Sequence, residues 1–363
     1  MLKLLHQLDL GFAPNRAAVA ADAARLAVVA PEAVDRRTLL RVDREEGIVL
    51  LDVLSDFKFE RVFATEDRNL VLSRRDGFEI DVVELGPSNL IRRSRYDGTE
   101  SQGFQQLTGG PSEDRLTFVS AEGTGLFHFP GGQLVATIDQ HISRWQSHPL
   151  RRLASFTVFE GFTQQLGFYL QGDGGRCWLT PLFETYCMID SYAFSWDGRV
   201  VGLVVNDGDR VDTLLYGFPT FELLYKAARN WDKIVSSEPV SLESGIAFHP
   251  RRERFLTCEP RGKIVEREYP SGVEVAVIHA HDSGVLHMQT LPSLDALVSV
   301  GNEGIVKLWS FSDGDLPYSP PLKCDPAILD EFLELTQQIE EATLRRFETR
   351  HDIAPNTSLR RAD

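Results

Sequence analysis

Paired cysteines are absent from this sequence. Its four cysteines, Cys177, Cys187, Cys258 and Cys324, are scattered, with no C-x-x-C pair among them. That spacing excludes a disulfide framework and fits small buried hydrophobes in a reducing compartment. Long apolar runs are also missing. The N-terminal MLKLLHQLDLGF is broken by His6, Gln7 and Asp9, too early for the apolar region of a signal peptide. No stretch approaches the length of a membrane span, so a cytoplasmic location without membrane contact is expected. Positive charge is scarce: 38 Lys and Arg stand against 53 Asp and Glu, a formal charge of -15. A net acidic surface repels phosphate backbones, which sets nucleic acid aside as a partner.

Signatures of catalysis are missing too. There is no G-x-S-x-G elbow, no H-E-x-x-H and no Cys-His pair. GDGGRC at 172–177 and EGTGLF at 122–127 leave G-x-G-x-x-G incomplete and open no helix, so both are predicted hairpin turns. Asp207, Asp209 and Asp212 lack the ligand spacing of an EF-hand and are expected as free carboxylates at a turn. His279, His281, Asp282 and His287 invite a metal reading, but Asp282 directly follows His281, unlike the H-x-H-x-D-H run of metallo-β-lactamases. No metal and no cofactor are expected.

What is present is a repeat. The chain has 363 residues, 42% of them hydrophobic, enough for a large core. Its clearest unit is HDSGVLHMQTLPSLDALVSVGNEGIVKLW, residues 281–309. This unit breaks into three short strands separated by a Pro-Ser turn and a Gly-Asn-Glu-Gly turn. The segment from Phe248 repeats it without a gap: Pro250 precedes Pro292 by 42 residues, Phe255 matches Leu297, Gly262 matches Gly304, and Arg267 falls where Trp309 stands. Earlier copies follow one rule, a turn and then an apolar strand five positions on. Ala21, Thr65, Pro111, Pro149 and Trp196 lead in this way to Leu26, Leu70, Leu116, Ala154 and Val201. A unit of roughly 40–45 residues suits a four-stranded propeller blade. Seven anchors predict seven blades.

The 281–309 unit resembles one repeat of the WD-repeat β-propeller family. In that family a His before the first strand, a Ser or Thr on the second, an Asp in the following turn and a Trp on the third form a buried hydrogen-bond chain. The resemblance assigns these places to His281, Ser299, Glu303 (a Glu for the Asp) and Trp309 as a structural network. It also implies ring closure: the last blade lacks an outer strand, and residues 3–8 at the N-terminus offer one. The expected fold is therefore all-β, a seven-bladed propeller over residues 1–315, closed by the N-terminal strand. A linker at 316–324 leads to an amphipathic C-terminal helix at 325–352 and a tail at 353–363. Asp325 caps that helix and Pro326 fits its first turn.

Function is expected on surfaces. Residues entering the inner strands, Gln106, His141, Arg144, Trp145, Tyr192 and His287, mix aromatic, Arg, amide and His chemistry and are the candidate partner-binding face. Arg92, Arg93 and Arg95 form a basic spot, read first as a charged blade edge that discourages strand pairing. Ile328, Phe332, Leu335, Ile339 and Phe347 lie along the apolar face of the helix, which is free to bind a partner or pair with itself in a homo-oligomer. The expected function is a non-enzymatic protein-protein interaction platform, a scaffold or adaptor subunit of a larger complex. The alternative is a propeller enzyme, a metal-dependent hydrolase or lactonase with its site in the central channel.

Overall fold

The computed structural model describes residues 2–20, 24–29, 37–51, 61–65, 69–76, 79–85, 91–97, 106–109, 115–120, 123–128, 133–138, 140–150, 152–160, 163–171, 176–180, 182, 187–207, 210–229, 245–311, 322–338, 345–347, 349–350 and 360–361. They form an all-β propeller with a single C-terminal helix. The expected second strands all form: Arg25–Val29, Asn69–Asp76, Arg115–Ser120, Leu153–Glu160, Val200–Asn206, Arg254–Glu259 and Ala296–Gly301. Each is the second strand of its own antiparallel sheet, and seven such sheets are hydrogen bonded. We number these sheets first to seventh in that order. Five blades are detected, not the predicted seven. One physical departure from a regular four-strand unit is visible. The second, third and fourth sheets take a fifth strand from the C-terminal segment, at Arg360–Arg361, Thr349–Arg350 and Arg345–Phe347.

Contacts divide the chain into two compact units, Met1–Lys58 with Cys187–Phe332, and Phe59–Tyr186 with Leu333–Asp363. The second, third and fourth sheets belong to the latter. In it, Leu126, Ala136 and Ile138 of the third sheet pack on Ile142, Phe156 and Leu179 of the fourth. The other unit holds the fifth, sixth, seventh and first sheets. Its cores lie between neighbours. Val204 and Leu215 of the fifth sheet meet Phe248 and Phe255 of the sixth. Leu256 and Ile264 meet Met288 and Leu297 of the seventh, and Val298 and Leu308 meet Leu26 and Leu40 of the first.

Burial falls from inner to outer strands. Ala296–Gly301 is buried throughout, whereas the sixth sheet's outer strand, Glu274–His279, is exposed or half-buried along its length. This explains why inner strands read as continuous apolar runs and outer ones alternate. Residues 3–8 are expected to complete the last sheet. Leu2–Asp9 does so, running antiparallel to Ile305–Phe311 with Leu4 opposite Trp309. Two repeated glycines, each in the turn between the second and third strands of its sheet, lie against the backbone that leads to the next sheet. Gly262 and Gly304 have φ of +66° and +89°, and a Cβ on either would lie 2.0 Å from a backbone oxygen of the following segment, His281 O or Phe12 O. Only glycine fits both the backbone angle and the close approach.

The C-terminal helix is shorter than expected. It spans Ala327–Gln338, and Arg345–Phe347 and Thr349–Arg350 are strands rather than its continuation. Asp325 Oδ1 accepts the Ala327 N–H at 3.0 Å, as a cap should. Ile328 and Phe332 are fully buried. Phe332 stacks on Phe218 at 5.4 Å, and Phe218 is in turn edge-on to Phe194 and Phe221. Arg199 holds the same helix by ion pairs to Glu331 at 2.6 Å and Asp325 at 3.2 Å. Ile328 and Phe332 are thus buried, Phe332 against the fifth sheet's Phe218, and neither is left open for a partner. Phe332→Ala should cost about 3–5 kcal/mol in denaturant unfolding. Arg199→Ala, removing exposed pairs, should cost no more than about 1 kcal/mol.

Candidate functional site

The seventh sheet carries a connected polar chain. His281 precedes the strand Val285–Leu291, Ser299 sits on Ala296–Gly301, Trp309 on Ile305–Phe311, and Glu303 in the turn between the last two. Trp309 Nε1–H donates to Ser299 Oγ at 2.9 Å, and Ser299 Oγ lies 2.8 Å from His281 Nε2. His281 Nδ1 lies 2.6 Å from Glu303 Oε1. An ionised carboxylate only accepts, so the Nδ1 proton points to Glu303 and, in the neutral ring, Nε2 accepts from the serine hydroxyl. Ser283 adds two contacts: its hydroxyl donates to Glu303 Oε2, and its Oγ accepts the Glu303 N–H at 3.1 Å. Burial pushes the Glu303 carboxyl up, but hydrogen bonds from His281, Ser283 and its own backbone N–H outweigh burial and hold it down at about 2. The longer Glu is accommodated because Gly301 leaves room: a Cβ there would lie 2.2 Å from Glu303 Oε1.

The sixth sheet repeats this arrangement with other chemistry. Thr257 stands 42 residues before Ser299, and Arg267 the same distance before Trp309. Arg267 Nη1 donates to Thr257 Oγ1 at 2.9 Å, so the link between second and third strands survives the exchange of aromatic for guanidinium. Arg267 Nη2 also pairs with Glu259 and Glu274, both at 3.1 Å. Beside it lies a cavity of about 230 Å³, lined by Thr213, Tyr225 and Ala227 of the fifth sheet and Phe255, Glu259 and Arg267 of the sixth. The sequence signal for this site was the 42-residue offset together with the alternation in EVAVIH, residues 274–279; neither marks a surface by itself.

The candidate face residues are distributed over both units. His141 is exposed, and Arg144 and Trp145 are half-buried. Trp145 packs on Phe156 at 5.0 Å and Tyr169 at 5.9 Å. Tyr192 and His287 are buried, 5% and 9% exposed, so they offer no open surface to a partner. Gln106 starts a strand of the third sheet, and its side chain lies outside the described residues. Arg92, Arg93 and Arg95 lie on Ile91–Asp97, their side chains also outside the described residues. That strand is not a free edge, because Arg360–Arg361 pairs with it opposite Asp97 and Tyr96. Of the helix residues, Leu335 is half-buried, Ile339 lies outside the described residues, and Phe347 belongs to a strand opposite Cys177.

Residues 123–128 form a strand rather than a hairpin turn, while 172–175 lie outside the described residues. Asp212 is no free carboxylate: it is buried and pairs with Lys226 at 3.1 Å and Arg210 at 3.4 Å. Asp209 lies outside the described residues. Of the histidine group, His281 is committed to Ser299 and Glu303, and His279 and Asp282 are exposed. Cys177, Cys187 and Cys258 are buried and Cys324 is half-buried, all as free thiols. Burial, reinforced by nearby carboxylates, pushes Cys187 and Cys324 up to about 12, which keeps them from thiolate chemistry. Among the described residues no helix is long and apolar enough to cross a membrane.

The fold and this site define the class, an all-β propeller with a C-terminal helix. No protein-family model and no curated protein matches the chain.

Two outcomes follow from the seventh-sheet chain. Ser299→Ala leaves the buried Trp309 N–H and His281 ring nitrogen unanswered and should cost about 1–3 kcal/mol in thermal or chemical unfolding. Glu303, with its carboxyl lowered from 4.5 to about 2, should contribute stability that is complete above pH 4.5 and lost as pH falls towards 2. Unfolding curves of the protein and its Glu303→Gln variant should therefore converge across that window and stay parallel above it.

Proposed function

We propose that the protein is a non-enzymatic interaction platform, an adaptor or scaffold subunit built on a β-propeller of the WD-repeat type and acting in the cytoplasm. The observation that carries this reading is the commitment of connected polar side chains, among the described residues, to fastening strands. His281, Ser299, Glu303 and Trp309 tie one sheet together, and Arg267 with Thr257 does the same in the next. A fastening of this kind holds loops and edges rigid, and a rigid frame lowers the ordering cost of binding. Seven antiparallel sheets, four of them four-stranded and three five-stranded, support the ring, and the His, Ser and Trp at the family's positions support the WD-repeat reading.

The test is reconstitution. The intact chain, used as bait in its native host, should retain a protein partner that rebuilds a complex of fixed stoichiometry from purified components. Absence of any such complex, with tightly held metal and turnover of an ester or lactone by the purified protein, would overturn the reading. Truncation before Asp325 is a poor probe, because Phe332 is part of the fifth sheet's packing. Leu335→Asp, at a half-buried position, asks whether the helix contributes to the complex while keeping that anchor.

A further inference from the structure

Within the unit of the second, third and fourth sheets, the outer edges are already occupied. The segment after the helix lies along them as short added strands. Arg345–Phe347 pairs with the fourth sheet's outer strand, Phe347 opposite Cys177 and Arg345 opposite Leu179. Thr349–Arg350 pairs with the third sheet's, Thr349 opposite Ile138 and Arg350 opposite Thr137. Glu348 alone separates the two pairings, so one stretch of chain bridges both edges. Arg360–Arg361 then pairs with the second sheet's outer strand, Ile91–Asp97.

Burial follows the cover. Cys177, Trp178, Leu179 and Thr180 of the fourth sheet's outer strand are all buried, and so are Ala136 and Ile138 of the third's. The sixth sheet's outer strand has no further strand beside it among the described residues, and its Val275 and Val277 are 38% and 50% exposed. Ile138 and Leu179 also belong to one core between the third and fourth sheets, so the added segment crosses the rim of that core.

Its hold is slight for what it covers. Three residue pairs join it to the fourth sheet and two to the third, against eight between the fourth sheet's own Leu153–Glu160 and Thr163–Leu170. A backbone hydrogen bond exchanged for one to water adds little net affinity. The covalent link supplies the rest, because it makes the pairing intramolecular, at an effective concentration on the order of millimolar. A strand held chiefly by its tether gives way to a segment that pairs over a longer run. Once it has left, the edge presents backbone groups ready to pair with another chain.

We propose that the joint edge of the third and fourth sheets is a docking site for an extended segment of a partner protein, and that residues 345–350 are its built-in competitor, closing the site in cis until the partner displaces them. The segment in place indicates the partner's chemistry: an aromatic preceded by two arginines and followed by threonine and arginine, in the pattern R-R-F-x-T-R. Added strands take affinity from the backbone ladder and selectivity from alternate side chains. A second copy of the chain is the less favoured occupant. Its segment already lies on its own edge, so an exchange makes no new pairing and costs translational freedom. The proposal rests on the interaction-platform reading and adds how such a platform is held closed.

The test keeps the full chain through folding. A site-specific protease sequence is placed within residues 339–344, which lie outside the described residues. It is cut after purification, and the freed fragment is removed by gel filtration. A labelled peptide of residues 343–351 is then titrated in fluorescence anisotropy. The cut chain should bind it saturably, and the uncut chain at least about tenfold more weakly, because its own segment competes. Neighbouring residues of a strand alternate in facing the sheet. The peptide with both Arg346→Pro and Phe347→Pro therefore loses the inward N–H and should not bind. The uncut chain carrying the same two changes opens the site without a cut and should bind the unchanged peptide as the cut chain does. A fragment that stays bound after cutting and dilution, no saturable binding to either opened chain, equal binding by the unaltered chain, or equal binding of the proline peptide would each overturn the proposal. A dimer of the unaltered chain that is lost with Arg346→Pro and Phe347→Pro would overturn the choice of occupant. A native complex untouched by excess peptide would sink the docking edge and leave the platform reading standing, whereas a chain that forms no complex sinks the platform.

Discussion

The pairing of Leu2–Asp9 with Ile305–Phe311 is the constraint on which the first, fifth, sixth and seventh sheets depend. It joins the first and last strands of this unit, so its loop-closure entropy is the largest in the unit, though that cost grows only slowly with length. What offsets it is burial. Leu2 and Phe311 enter the core between the sixth and seventh sheets, while Leu8, Leu10 and Phe12 pack against the core between the seventh and first. Without the first strand, Trp309 would lose its neighbour Leu4 and the seventh sheet would end on an apolar edge.

Polar groups inside this frame act as fasteners between strands, and each is placed by a glycine or a turn. Gly301 admits the Glu303 carboxylate, and Gly262 admits the backbone that carries His281 and Ser283. Buried charges obey the same demand for partners. Arg251 and Asp295 pair at 3.0 Å with both side chains under 10% exposed, and Arg254 reaches the buried Glu266 at 3.3 Å. Such pairs add little net stability over apolar packing, but losing one member strands the other.

Much of the strand plan was legible because it is local. A turn followed five residues on by an apolar run locates all seven second strands, from Leu26 to Leu297. His281, Ser299 and Trp309 were legible because their order and spacing resemble those of a repeat, and the structure links them in one hydrogen-bond chain. What failed was whatever depends on a distant partner. The apolar face continuing to Phe347 reads as one helix, yet Arg345–Phe347 lies along Cys177–Leu179 as an added strand; an edge seeking hydrogen bonds outweighed helical periodicity. Those additions also break the four-strand plan behind the count of seven blades. Tyr192 and His287 look like surface recognition residues by type, and burial is decided by neighbouring strands that sequence does not place. Arg267 reads as a lost tryptophan, but its link to Thr257 shows a fastening exchanged rather than removed.

The first strand also has a history in time. During synthesis Leu2–Asp9 leaves the ribosome roughly 300 residues before the strand it pairs with. While those residues are made it must wait without its partner, as the intervening sheets form. Its mixed character suits that wait: Lys3, His6, Gln7 and Asp9 interrupt the leucines, so the nascent segment is held open to water. The residues that weaken this stretch as an apolar run are the ones that keep it available until the last sheet is made.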